Sequence, residues 1–342
     1  MKNKRFLIIL SIVMAVFLLS SCEKSKSEEP KDEGQKVEEN VKAEDGKKEP
    51  ETSEASFTIP KIAAVNDFYS TGILKAFDEN RENLKFINSF DDIKSAIGSK
   101  DVDMALIPAE WAAILYNQGV EIKAAGIGSL GNMSIISHDG NIKFIPDLKG
   151  MRVVSLNTPS TKHVFDYILK RNELSEDDVK VEYVEDIDKV FNSADEENTV
   201  LLLQEPYASE ILARDKTLIE NINLDIEYKK ASQGTSPVTS VLVVRGEYLG
   251  ENKGNVDKFL EMYKESVDYI NQNPADGAKL ADEFQLPHYE AAENSIPKSN
   301  LTLVTGMDME RTLKAFLNVI SRENLDYVGG KVPETEFYYT NK

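Results

Sequence analysis

From residue 57 onward the chain predicts an α/β fold of two similar lobes, and three observations carry that expectation. Strand-like and helix-like segments alternate from residue 58 to residue 214, the grammar of largely parallel sheets joined by helical crossovers. The alternation runs twice, once from Thr58 to Ser137 and again from Asp147 to Arg214. After Ser236 the chain supplies one apolar strand and then mainly helix, enough to complete the first run rather than to begin a third.

In the first run, Thr58 to Val65 predicts a strand and Ser70 to Asp78 a helix, with Lys85 to Ile87 and Asp91 to Ile97 as the next pair. Asp103 to Ile107 reads as a short strand, and Pro108 opens a helix through Tyr116. Glu121 to Ile127 and Met133 to Ser137 are strands around a glycine-rich break, read as a hinge or turn. The second run starts at Asp147-Leu148-Lys149-Gly150: Met151 to Leu156 is a strand, and Thr158-Pro159 begins a helix with Val164, Phe165, Ile168 and Leu169 on one face. Val179 to Val184, a helix near Ile187 to Ala194, and the strand Thr199 to Leu203 follow, and Glu205-Pro206 starts a helix to about Arg214. Val241 to Val244 is the late strand, and helices span Asn255 to Gln272, Pro274 to Phe284, His288 to Asn294 and Met307 to Ser321.

The chain's beginning carries a different message. Met1 to Arg5 is basic, Phe6 to Leu19 is apolar apart from Ser11, and Ser20-Ser21-Cys22 follows. That order is an export signal, residues 1–21. A helix of about 14 residues rises roughly 21 Å, short of the roughly 30 Å hydrocarbon core, so it is not expected to remain as a membrane span. Leu19-Ser20-Ser21-Cys22 resembles the bacterial lipobox, which implies that Cys22 is diacylated and becomes the mature N-terminus. Two acyl chains give stable anchoring to the outer face of a bacterial cell membrane. Cys22 is also the sole cysteine, so no intrachain disulfide forms. Residues 22–56 are dominated by Glu, Lys, Asp, Ser and Pro, too polar to offset the entropy of ordering, and read as a disordered charged tether.

The whole chain holds 40 Lys and Arg against 59 Asp and Glu. The signal takes 3 of the basic residues and the tether 7 basic and 12 acidic, leaving 30 against 47 for the remainder. Non-specific nucleic-acid binding needs a basic footprint and is discounted.

Ligands of open α/β sheets bind at the carboxyl ends of strands, where helix N-termini present amides. Four junctions qualify: Asn66 to Gly72, Ile107 to Trp111, Asn157 to Thr161, and Gln204 to Tyr207. Pro108, Pro159 and Pro206 stand at expected first helical positions. Thr158 is an expected N-cap, with the amides around Ser160 and Thr161 open to an oxygen-bearing ligand. The candidate ligand-binding residues are Asp67, Phe68, Tyr69, Ser70, Thr71, Glu110, Trp111, Thr158, Ser160, Thr161, Glu205 and Tyr207. Trp111, the sole tryptophan, with Phe68, Tyr69 and Tyr207 suits the walls of a cleft for a flat ligand. Asp67, Glu110 and Glu205 suit an amine or protonated heterocycle; each equally suits a helix start whose dipole it complements.

Catalysis finds little support. His138, His163 and His288 are far apart in sequence and build no H-E-x-x-H spacing, so neither a metal nor a cofactor is expected. His163 and Asp166 read as a solvent-face pair. Gly126-x-Gly128-x-x-Gly131 spells a dinucleotide motif, but a strand follows it where that motif requires a helix.

Asp147-Leu-Lys-Gly-Met-Arg-Val-Val154, the helix start at Ser160-Thr161, Asp101-Val-Asp-Met-Ala-Leu-Ile-Pro108, Gln204-Glu205-Pro206 and Asn271-Gln-Asn-Pro274 resemble the nitrate, sulfonate and taurine-type solute-binding proteins and their thiamine-precursor relatives. The resemblance covers about residues 57 to 290. It implies a type II periplasmic-binding-protein fold with two hinge crossovers, lobe one being 57–138 plus 239–342 and lobe two 139–238. It further implies a monomeric lipoprotein that encloses a small organic solute by hinge closure and docks on an ABC permease with its ATPase. The carboxylates Asp67, Glu110 and Glu205 depart from what an anion needs and favour a neutral or cationic heterocycle, such as a pyrimidine-like vitamin precursor. Two other functions fit the same fold: a ligand-binding surface sensor, and an enzyme such as a chorismate-dehydratase-like protein.

Overall fold

A computed structural model describes residues 57–340. The expected export signal, the lipidation at Cys22 and the tether lie outside the described residues. Among these, no helix is long and apolar enough to cross a membrane.

Along the chain the first elements are β1 (Ile62–Val65), a 3-10 helix Phe68–Phe77, β2 (Leu84–Ile87), α1 (Phe90–Gly98), β3 (Met104–Pro108), α2 (Ala109–Asn117) and β4 (Ile122–Leu130). The next are β5 (Met133–Ser137), β6 (Arg152–Leu156), α3 (Pro159–Arg171), β7 (Lys180–Val184), α4 (Ile187–Asn192), β8 (Thr199–Gln204), α5 (Tyr207–Arg214), β9 (Ile219–Asn223) and α6 (Leu224–Ala231). The chain finishes with β10 (Val238–Arg245), α7 (Gly246–Glu251), α8 (Lys253–Gln272), α9 (Pro274–Glu283), α10 (Ala292–Ser295), β11 (Leu301–Val304) and α11 (Gly306–Glu323).

The strands make two sheets, ordered β11-β4-β10-β3-β1-β2 and β7-β6-β8-β5-β9. The α/β architecture in two sheets is as expected, but both sheets are mixed rather than mainly parallel. Among the described strands, parallel pairing is confined to β1 with β2 and β3, and to β6 with β7 and β8. The antiparallel pairings arise where the chain changes sheet: β10 returns between β3 and β4, running against both. β5, the first strand after the outward crossover, runs against β8 and β9.

That crossover lies at Gly131-Asn132, between β4 in one sheet and β5 in the other. Met133–Ser137 belonged to the first expected lobe, yet its ladder is entirely with the second sheet. The glycine-rich stretch is not a turn: β4 runs unbroken through Gly126 and Gly128. Close packing explains both glycines. A Cβ at Gly126 would lie 2.6 Å from Leu303 Cδ1, and one at Gly128 would lie 2.6 Å from the Tyr263 hydroxyl.

The helices follow their sequence signals. Ser89 caps α1 by accepting from the Asp92 amide, Asp91 and Asp92 complement the dipole, and Ile93 and Ile97 supply the buried face. In α11, Met309, Leu313, Phe316, Leu317 and Ile320 are buried at helical spacing. One buried cluster runs from Ile107 of β3 and Leu317 of α11 to Phe165 of α3 and Leu202 of β8, so the two halves of the chain meet across packed side chains rather than an open gap.

Candidate functional site

The parallel strands of both sheets end at the same place. An inner cavity of about 200 Å³ is lined from the first sheet by Val65 at the end of β1 with Asp67 and Tyr69 beyond it, Asn88 after β2, and Pro108 at the end of β3 with Glu110 and Trp111 beyond it. From the second sheet come Thr158 and Ser160 after β6 and Gln204 at the end of β8, and Thr239 of β10 completes the wall. Asp67, Tyr69, Glu110, Trp111, Thr158 and Ser160 were expected there; Val65, Asn88, Pro108, Gln204 and Thr239 join them.

Glu110 dominates the electrostatics. It is only 3% exposed, and neither carboxylate oxygen has a hydrogen-bond partner. Burial pushes its carboxyl up to about 7, with the Ser160 hydroxyl close enough to temper the rise but not in hydrogen-bonding geometry. Burial also raises Asp67, held back by the amides of Tyr69 and Phe68 and by nearby His288. The Tyr69 hydroxyl is buried without a partner, and burial, with Asp67 and Glu110 close by, drives its ionisation well up. Asn66 Oδ1 is unpartnered as well. Each such buried group costs about 1–3 kcal/mol; the Glu110 and Asn66 oxygens lack donors, while the Tyr69 hydroxyl is free to donate or accept.

Trp111 forms a half-buried wall, held by an edge-on contact with Phe90 at 5.4 Å. Thr158 is the N-cap of α3, its Oγ1 accepting from the Thr161 amide at 3.2 Å. That cap uses the Thr161 amide that the sequence left open to a ligand, and the Thr161 hydroxyl is itself paired with Thr158 Oγ1 at 2.6 Å. Of the three junction prolines, Pro159 alone occupies a first helical position; Pro108 and Pro206 each stand one residue earlier, at the N-caps of α2 and α5.

The remaining candidates support the cavity without lining it. Phe68 is 1% exposed, packed in the core rather than in the cleft wall. Ser70 Oγ donates to the Val65 carbonyl and Thr71 Oγ1 to that of Phe68, bracing the turn that carries Asp67 and Tyr69. Glu205 is buried and accepts from the amide and hydroxyl of Ser209, which leaves burial the larger influence on its raised carboxyl. Tyr207 packs against His288 at 4.6 Å, and burial with Asp67 nearby pushes its phenol to about 12.

An outer chamber of about 450 Å³ shares Glu110, Trp111 and Thr158 with the inner cavity and adds Ile114, Asn157, Lys162, His163, Asp326 and Tyr327. His163 is not on a solvent face with Asp166. It is buried against Tyr327 and held neutral, its imidazole pushed down to about 4 by burial, while Asp166 accepts from the Tyr183 hydroxyl.

Two α/β sheets, a chain that crosses between them twice, and a ligand-sized cavity where their strand ends meet define the two-lobed architecture of periplasmic binding proteins. The sequence profile of the NMT1/THI5-like family matches residues 83–277, more than half of the chain, and the protein belongs to that family. No curated protein sequence matches it significantly. Among solved structures, the fold is similar to an ABC transporter protein from Parabacteroides distasonis at 20% identity and TM-score 0.68, covering 83% of this chain and 100% of that one. It is also similar to the periplasmic aliphatic sulphonate binding protein SsuA of Escherichia coli, at 12% identity and TM-score 0.63, covering 82% and 91%. A desulfurization enzyme, DSZB, shares it at 11% identity and TM-score 0.57, covering 82% and 96%.

Proposed function

We propose that the protein is an exported solute-binding component of an ABC importer, which encloses a small organic solute between its two lobes and passes it to a permease. The observation that supports this most is the unpartnered Glu110, buried beside Trp111 where the strand ends of both sheets meet. On this reading the lobes divide at the crossovers, near Gly131-Asn132 and just before Val238. Cys22 carries the lipid that holds the chain at the outer face of the membrane, and the folded part acts as a monomer.

The solute class follows from the inner cavity's chemistry. Its described lining carries Asp67 and Glu110 but no Lys or Arg. An anion there meets like charge in a poorly hydrated space. A neutral or cationic planar molecule bearing N–H groups supplies the missing donors and lies against Trp111, as a pyrimidine-like heterocycle does. Sulfonates are disfavoured at this position, whatever the similarly folded proteins bind.

A thermal-shift screen of the purified protein against heterocyclic amines, amino acids, sulfonates and nitrate tests the reading. A ligand at about 100 times its dissociation constant adds roughly 2.7 kcal/mol. Stabilisation confined to N–H-bearing heterocycles is expected; stabilisation by sulfonates or nitrate alone overturns the solute class. A second reading rests on the same residue: a carboxyl held near 7 in a closed site also suits a general base. Recovery of chemically unchanged ligand after prolonged incubation, read by mass spectrometry, eliminates it.

A further inference from the structure

The two chambers differ in charge, and the outer one is not explained by a compact heterocycle seated at Glu110. Lys162 is the only cation among the described residues lining either chamber. It has no ion-pair partner among the described residues; its ammonium lies 5.7 Å from the Tyr183 ring. Nearby Asp166 is engaged with that tyrosine's hydroxyl, and Asp326, across the chamber, is exposed to water that screens it.

Lys162 stands in the first turns of α3, a 13-residue helix with no acidic residue in its first turn. The helix dipole therefore adds to the ammonium's positive potential. A second, independent feature points to a ligand. His163, 6% exposed, lines the same chamber, and its Nδ1 has no hydrogen-bond partner. A buried polar atom left so is costly unless a bound solute supplies its partner.

We propose that the outer chamber is a second subsite for an anionic extension of the solute, with Lys162 as its counter-charge. The solute is then two-ended: a planar N–H-bearing group meets Glu110, and a carboxylate or similar anion meets Lys162. Thr158 and Trp111, walls of both chambers, form the waist between the two ends. This rests on the proposed reading of the inner cavity, which supplies the first end.

Matched probes separate the two ideas. The sole tryptophan is Trp111, so its fluorescence reports binding of 2-aminopyrimidine and of 2-aminopyrimidine-5-carboxylate to the intact protein. The carboxylate is expected to bind about tenfold more tightly, the scale of one charge-assisted contact. Lys162→Met should abolish that advantage while leaving 2-aminopyrimidine's affinity in place, and Lys162→Arg should retain it. Equal affinities in the wild type, or an advantage that survives Lys162→Met, overturn the second subsite. Failure of both probes at millimolar concentration overturns the reading of the inner cavity itself.

Discussion

Replacing Glu110 with Gln isolates the electrostatic cost at the centre of the cleft. Burial raises this carboxyl from an ordinary 4.5 to about 7, so folding takes up a proton between those values. The sign follows directly: the native chain binds more protons than the unfolded one in this window, and stability falls as pH rises through it. The contribution is fully present below about pH 4.5, is lost towards pH 7, and is constant above. Roughly 2.5 pK units at 1.36 kcal/mol each make the loss about 3 kcal/mol, an upper figure because lobe opening can rehydrate the charge. The glutamine side chain keeps the shape and has no charge to bury. Asp67, Glu205 and Asp225 are raised by burial too and slope in the same direction, so the quantity to measure is the difference between wild type and variant. Urea unfolding from pH 4.5 to pH 8 should give Glu110→Gln a shallower decline than the wild type, the gap widening by about 1–3 kcal/mol and levelling off above neutrality. Parallel profiles would refute the reasoning, since they would mean that Glu110 ionises as freely in the folded protein as in the unfolded chain.

Other expectations are independent of this one. Gly128→Ala places a Cβ within 3 Å of the Tyr263 hydroxyl, Leu106 Cδ1 and Ser240 Oγ, and should lower stability by about 1–3 kcal/mol by overpacking, read as a fall in melting temperature. Thr158→Ala removes the cap on the Thr161 amide and should cost about 1 kcal/mol; an unchanged midpoint of denaturation would mean that another group caps α3. Trp111→Ala should weaken solute binding at least tenfold in calorimetry, about 1.4 kcal/mol or more.

Much of the fold was legible because local pattern and tertiary role agree. Met133–Ser137 is apolar, bounded by Gly and Asn before it and His-Asp-Gly after it, and it forms a strand with those bounds. What escaped depended on neighbours. β9, Ile219–Asn223, carries Glu and Asn beside its two isoleucines and lies at the sheet's edge, where one side needs no partner strand. β11 has four residues, and its pairing with β4 is irregular. Gly126 and Gly128 read as punctuation, yet they are strand positions made small by Leu303 and Tyr263.

The site divides similarly. Asp67, Glu110, Trp111, Thr158 and Ser160 stood at strand-to-helix junctions, a signal local enough to read. Gln204 stood at such a junction too, as the first polar residue after the apolar run Val200 to Leu203. Asn88 and Thr239 carried no such mark; they reach the cavity because β2 and β10 begin or end at its level. His163 was misplaced because i, i+3 spacing says which residues share a face, not whether a facing lobe buries it.

The most direct measurement of the central claim is a titration of Trp111 fluorescence with N–H-bearing heterocycles and, separately, with sulfonates, on wild type and Glu110→Ala. The account predicts saturable binding of a heterocycle to the wild type, lost or strongly weakened in Glu110→Ala, and none of sulfonate. Saturable sulfonate binding that Glu110→Ala leaves unchanged or strengthens would contradict it.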